Sequence, residues 1–326
     1  MRTFVSHLTL KAVIGILLLT SVPVLCDTTC SATCCPTTSS INPERAKYRA
    51  THLPWAVIDC PEQVPELIKN GADVNATDED GRTALHFAVF NNNYGIAKTL
   101  LENGAEVNVK EHSSEGGFCG WGWYPLHLAL RNENKDMIRL LVDHGADVNA
   151  VRSDGWPPLD TAAYHGQPDM IELLISKGAD VKYKDYEALR FAIDLKKIDG
   201  ALVMIKHGAD VNKINNFGRT ALHVAASLGD TPAVKELIKY KAKIDIADNK
   251  GRTPLYTATY YGFLDIAKLL IANGANVNVH AEGNTSLLQI LKEGKHDYMT
   301  SPQDQNNKIK RDWYGIKRVL LRHGAK

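Results

Sequence analysis

The residues best suited to chemistry are the 12 histidines, the 6 cysteines and a glycine-rich run, SEGGFCGWGWYPLHL, at 114–128. A nucleophilic Cys119 would need a general base within hydrogen-bond reach, and the sequence offers it none. The glycines would have to follow a strand to cradle a dinucleotide, and they follow none. The chain contains no His-Glu-x-x-His, no Gly-x-Ser-x-Gly and no phosphate-binding Walker loop. His86, His127 and His223 each stand three residues past a helix-capping position. A catalytic base is needed once, so this recurrence points to structure. His144, His207 and His323 directly precede glycines that would end helices, where a partial positive charge is favourable. Cys30, Cys34 and Cys35 are spaced by four and one with no histidine nearby. That is a poor zinc set, and disulfide chemistry suits them better. No catalytic, cofactor-binding or metal-binding constellation is expected.

These residues need elements to position them. With 44% apolar and 23% charged residues the chain has material for a core, and a net charge of +1 makes it no general polyanion binder. Residues 1–26 read as a cleaved secretory signal peptide. Arg2 and Lys11 precede an apolar run from Ala12 too short to span a bilayer, and Pro23 precedes small residues up to Cys26. Lipid attachment at Cys26 is disfavoured because Leu25 occupies a position that wants a small residue. Removing 1–26 takes away two positive charges and no negative one, so the formal charge falls from +1 to −1. Residues 27–54, rich in Cys, Thr and Ser, read as a linker.

Beyond the linker the chain repeats itself. GADVN occurs at 71, 145 and 208, with GAEVN at 104, GADVK at 178, GANVN at 274, a decayed KAKID at 241 and GAK at 324. A second signature lies upstream of most copies: GRTALHFA at 81, WYPLHLAL at 123, GWPPLDTAA at 155, GRTALHVAA at 218 and GRTPLYTAT at 251. A period near 33 residues means stacked supersecondary units, none able to bury its apolar face alone. Thr83, Thr220 and Thr253 suit helix caps, and Pro125, Pro158 and Pro254 suit first turns where a missing N–H costs nothing. Ala88, Ala162, Ala225 and Ala258 are small where two helices must approach.

Together these motifs resemble the ankyrin repeat, in which a hairpin turn is followed by two antiparallel helices. The expected fold is an all-α solenoid of about eight units: 55–80, 81–112, 113–154, 155–185, 186–217, 218–250, 251–282 and 283–326. The fifth lacks the Gly-x-Thr start and is three residues short, so its hairpin should be irregular. The eighth carries a polar insert, 292–315, read as an exposed loop, before a last helix at 316–323. Its basic end (Lys308, Lys310, Arg311, Lys317, Arg318, Arg322 and Lys326 against Asp312) reads as a solvated capping face.

The resemblance implies that the recurring histidines tie neighbouring units by hydrogen bonds. It also implies that the residue after each hairpin glycine, and the end of each first helix, line a concave face that grips partners. On that basis Arg82, Phe90, Trp121, Trp123, Arg131, Trp156, Tyr164, Tyr186, Arg219, Arg252 and Tyr260 are the candidate contacts. Aromatics and arginine are the types that dominate interface hot spots. Trp123, Trp156 and Tyr186 should form one column on consecutive units. Phe118, Cys119 and Trp121 would enlarge the hairpin tip beside it, and a Cys60–Cys119 disulfide could staple that insert to the first unit.

The expected function is non-catalytic protein binding by an exported monomer, secreted or periplasmic. An immunity protein for a secreted toxin and an envelope scaffold are both compatible. Its partner is another protein, with neither nucleic acid nor stable membrane insertion. The rival reading, an enzyme or metal-handling protein built on the Cys-rich tail or the 292–315 insert, lacks an acid–base pair.

Overall fold

Each unit has two short apolar stretches at helical spacing, and each stretch becomes a helix. The protein is described by a computed structural model covering residues 52–112, 122–184, 187–293 and 312–326. The 16 helices there form eight antiparallel pairs. In chain order the inner and outer members are α1 (Leu53–Asp59) with α2 (Val64–Lys69), α3 (Ala84–Phe90) with α4 (Tyr94–Glu102), and α5 (Pro125–Arg131) with α6 (Lys135–Asp143). They continue as α7 (Pro158–His165) with α8 (Pro168–Ser176), α9 (Glu187–Asp194) with α10 (Ile198–Lys206), and α11 (Ala221–Leu228) with α12 (Thr231–Lys239). The last two pairs are α13 (Pro254–Tyr261) with α14 (Leu264–Ala272), and α15 (Leu287–Glu293) with α16 (Trp313–Arg322). Inner helices pack on inner helices and outer on outer through most of the stack, most extensively between α7 and α9 and only slightly between α9 and α11.

Helices of 6–10 residues are too short to persist alone. They persist because each contributes apolar side chains to one continuous core. Ala88, Ala162, Ala225 and Ala258 are fully buried at the crossings, as the need for close approach requires. A buried leucine such as Leu141 contributes about 2 kcal/mol of transfer free energy. The starts are fixed locally: Asn93, Asn134 and Asp230 accept the N–H of Ile96, Met137 and Ala233 at 2.9–3.1 Å.

The fifth residue of the GADVN motif is the tie between units. Asn75 donates to the Gly104 carbonyl (3.2 Å) and accepts the Glu106 N–H (2.7 Å), each in the next unit. Asn108 repeats this on Gly145 and Asp147, Asn149 on Gly178 and Asp180, and Asn278 on Gly324 and Lys326. Asn212 and Asp245 keep only the acceptor half, on Lys243 and Asn276. Lys182, in the divergent GADVK copy, makes no such bond among the described residues.

Two boundaries differ from expectation. The first helix begins at Leu53, inside the stretch assigned to the linker, because Leu53, Ala56 and Val57 are buried against the second unit. The last helix begins at Trp313, inside the stretch assigned to the insert. Asp312 caps it by accepting the Gly315 N–H at 2.6 Å, and the Trp313 indole N–H donates to the Tyr260 carbonyl at 3.3 Å. The chain is also not wholly helical, since His280–Ala281 pairs antiparallel with Thr285–Ser286 before the eighth unit. Residues 1–51 and 294–311, with the signal peptide, the cysteines at 26, 30, 34 and 35, and the rest of the insert, lie outside the described residues. So does the irregular start at 185–186.

Candidate functional site

The hairpins and inner helices present the recurring histidines first. The Thr83 N–H donates to His86 Nδ1 at 3.1 Å, so the ring proton sits on Nε2, which donates to the Trp123 carbonyl of the next unit at 3.4 Å. His223 does the same between the Thr220 N–H (3.2 Å) and the Arg252 carbonyl (2.9 Å). His127 reaches the Trp156 carbonyl at 3.0 Å, but its Nδ1 is buried without a partner among the described residues. Burial pushes these rings down to pKa values of about 4, 4 and 3 respectively. They are neutral structural ties, as the resemblance implied. His144 and His323 bond carbonyls of their own helices at 2.8 Å, and His207 bonds Glu172 at 3.0 Å.

The fourth unit breaks the pattern with Asp160 in the histidine position. The preceding cap is Pro157, which has no N–H to give a ring nitrogen. Asp160 is fully buried and its Oδ2 has no hydrogen-bond partner among the described residues. Burial first, then the nearby Glu187 charge, pushes its pKa up to about 7.

Of the candidate contacts, Trp121 and Tyr186 lie outside the described residues, and the other nine fall into three neighbouring groups. Arg82, Phe90, Trp123 and Arg131 line an apolar cleft of about 290 Å³ with Ile58, Phe87 and Leu128, over units one to three. Glu111 lies at its edge, where burial raises its pKa against the opposing effects of a Trp123 backbone bond and Arg82. Arg219, Arg252 and Tyr260 line a second cleft of about 270 Å³ with Asp194, Phe217 and Tyr261, over units five to seven. Trp156 and Tyr164 stand between, their rings 5.7 Å apart.

Of the expected aromatic column, Trp123 is buried and Trp156 half-buried, and Tyr186 lies outside the described residues. Trp123 is only 7% exposed, and the Arg152 guanidinium lies 4.0 Å from its ring and 5.3 Å from that of Trp156. Phe191 then stacks on Trp156 at 4.5 Å, with Arg190 4.7 Å from Phe191. Trp123 is therefore mainly a packing residue that shows one edge to the first cleft. Arg152 and Phe191 escaped sequence reasoning. The signal for Arg152 was an arginine at the hairpin-opening position, where other units have Asp78, Glu111, Asn215 or Asp248. Cys60 is buried, and its suggested partner Cys119 lies outside the described residues. Among the described residues no group of three His, Cys, Asp or Glu could hold a metal, and no helix is long and apolar enough to cross a membrane.

Comparison with known proteins agrees with this architecture. A family model described as ankyrin repeats matches residues 31–111, 112–185 and 189–281 as three copies. A palmitoyltransferase, akr1, of Schizosaccharomyces pombe is 62% identical over 37 residues, 11% of this chain and 6% of that protein. The neurogenic locus notch homolog protein 1 of Xenopus laevis is 46% identical over 52 residues, 16% of this chain and 2% of that protein. The chain thus spans a small fraction of the length of these curated relatives. Among solved structures, the ankyrin repeat domain of Bcl-3, of the IkappaB family, superposes with a TM-score of 0.50 at 24% identity. That match covers 65% of this chain and 95% of the other.

Proposed function

The chain belongs to the ankyrin-repeat family, whose repeats are protein–protein interaction modules, and on that premise we propose that it is a non-catalytic binder gripping a protein partner with its inner-helix face. The observation that carries the reading is the gathering of Arg82, Phe90 and Arg131 in one cleft and of Arg219, Arg252 and Tyr260 in another. Both lie along the same succession of inner helices and hairpins. Arginine and aromatic side chains around concave apolar surface supply hot-spot chemistry, and a stacked framework holds them with little ordering cost on binding. We further propose that residues 1–26 direct export, so that the binder works outside the cytosol by covering a partner's surface, as an inhibitor, an immunity protein or a scaffold does.

Site-specific photocrosslinking tests the face. Benzoylphenylalanine at Phe90 or Tyr260, on inner helices, should yield a discrete protein adduct in the native compartment. The same group at Tyr94, on outer helix α4, should not. Adducts from Tyr94 alone would place the partner on the opposite side and defeat the reading. For export, the exported protein should begin at Asp27 by mass spectrometry, and an intact Met1 start on it would exclude cleavage.

A further inference from the structure

The hairpins set the charge of the inner face through two positions, the residue that opens the turn and the residue that follows its glycine. In the second unit Asp78 opens the turn, accepts the Arg82 N–H at 2.9 Å and holds Arg82 Nε at 2.9 Å, with Asp80 on the same guanidinium at 2.8 Å. In the seventh unit Asp248 does likewise for Arg252, at 3.0 and 2.9 Å. The sixth unit keeps the arginine and loses the acid. Asn215 accepts the Phe217 and Arg219 N–H groups at 3.0 and 2.8 Å, so the turn is intact, but an amide brings no charge.

Arg219 therefore leans onto the next unit's carboxylate, with Nε 3.5 Å from the same Asp248 oxygen that Arg252 holds at 2.7 Å. Two guanidiniums share one buried carboxylate, and both remain about one-third exposed at the mouth of the second cleft. One positive charge is left without an acid of its own. Beside it Phe217 is 60% exposed, with its ring 5.9 Å from the Arg219 guanidinium. Leu195 and Ile214, next in sequence to the lining residues Asp194 and Asn215, are also exposed. On the far wall Asp194 meets Arg190 through Oδ2 and also takes a side-chain hydrogen bond from Asn215.

We propose that the cleft of units five to seven recognises a peptide segment that presents an aspartate or glutamate beside an apolar side chain. The inference rests on the protein-binding reading of the same face. The carboxylate would complete the Arg219–Arg252 pair, a charge-assisted contact stronger than one between neutral groups. The apolar neighbour would cover Phe217. A peptide provides a single carboxylate beside an apolar side chain, whereas a nucleic acid strand provides many negative charges for a cleft whose surplus cations are few, Arg219 and Lys196.

The test begins with a phage-displayed random dodecapeptide library selected on the full chain, followed by fluorescence polarisation with an enriched peptide and its Asp→Asn or Glu→Gln counterpart. Enriched peptides should carry an acid, and the amide counterpart should bind about tenfold more weakly. Asn215→Asp gives Arg219 its own carboxylate in a turn that other units already build with aspartate, and it is made together with Asp194→Asn because the Asn215 side chain bonds Asp194 and two facing carboxylates would repel. It should weaken the acidic peptide about tenfold and erase its advantage over the amide form. Arg219→Gln should do the same, while Arg139→Gln on outer helix α6 should change nothing. Binders without an acid, or acidic binders indifferent to Asn215→Asp, would overturn this inference and leave the binding face intact. Binders that crosslink only to the outer helices would overturn both. Arg219-dependent retention of an oligothymidylate strand would overturn the peptide assignment.

Discussion

A neutral imidazole wedged between two hairpins is a stability element with a pH limit. His86, His127 and His223 have folded pKa values of about 4, 3 and 4 against an ordinary 6.5, with burial the leading cause. Between pH 6.5 and 4 the unfolded chain takes up protons that the folded chain refuses, so stability falls as pH falls through that window. Each ring accounts for on the order of 3 kcal/mol at the acid end. Asp160 works in the opposite sense. Its folded pKa of about 7 exceeds the ordinary 3.8, so the folded chain holds a proton that the unfolded chain releases, and stability falls as pH rises from 4 to 7. Three rings outweigh Asp160 together with Glu111 and Asp194, whose pKa values burial also raises, and the melting temperature should drop steadily from pH 6.5 to 4 by circular dichroism. A flat profile would mean that the rings are solvated. Asp160→Asn removes the opposing group. It should stabilise the protein at pH 8 by on the order of 2–4 kcal/mol and leave it nearly unchanged at pH 4, as read from urea titrations at the two pH values.

At the scale of elements, helix ends decide what the stack tolerates. The glycine of each GADVN copy takes a left-handed conformation just beyond an outer helix, as Gly208 does at φ +93°. In the decayed copy Lys241 takes it at φ +64° without being glycine. Lys241→Gly should therefore stabilise by about 1 kcal/mol, seen as a higher urea midpoint at unchanged slope. Gly262 is the stricter case. Its φ is +78°, and a Cβ there would stand 2.6 Å from the Trp313 ring that seats the final helix. Gly262→Ala should cost about 2 kcal/mol or more and raise amide exchange selectively across 313–322, whereas uniform protection would show that the helix seats without Trp313. The repeat spacing made the pairs and their caps legible, because periodicity and Gly, Thr and Pro placement are local properties. What stayed hidden depended on contacts across units. The burial of Trp123 follows from the Arg152 guanidinium lying against its ring, and the start of α16 at Trp313 follows from a bond to Tyr260, 53 residues back. The candidate face was legible by register alone. Its division into an apolar cleft and an arginine cleft needed the turn openers, Asp78 against Asn215, to be read together with the arginines they face.

Across the whole molecule stability is close to a sum of units and the seams between them, so the weakest seam sets where the stack opens first. Two devices cross the seams: the asparagine or aspartate that bonds the next outer turn, at six of the seven, and the histidine that donates to the next hairpin, at three. The seams from unit two to three and from three to four have both, through His86 and Asn108, then His127 and Asn149. The seam from unit six to seven has His223 and Asp245. Between units four and five both are replaced, by Asp160 and Lys182. The two hairpins there are joined instead by Tyr183 Oη and Lys184 Nζ donating to the Gly155 carbonyl, at 3.3 and 3.0 Å. One exposed lysine and one long hydroxyl contact replace a buried histidine tie and an exposed asparagine tie, each worth about 1 kcal/mol or less. The chain should therefore unfold in urea as two blocks, units one to four and units five to eight. Trp55, Trp121, Trp123 and Trp156 all belong to the first block and only Trp313 to the second. Fluorescence should then follow the first block while far-ultraviolet dichroism follows both, and the two curves should not coincide. Lys182→Asn restores the acceptor and donor that Asn149 supplies one unit earlier, and it should draw the two transitions together. Coincident curves in the unaltered protein would show that the α7–α9 packing alone makes this seam as strong as its neighbours.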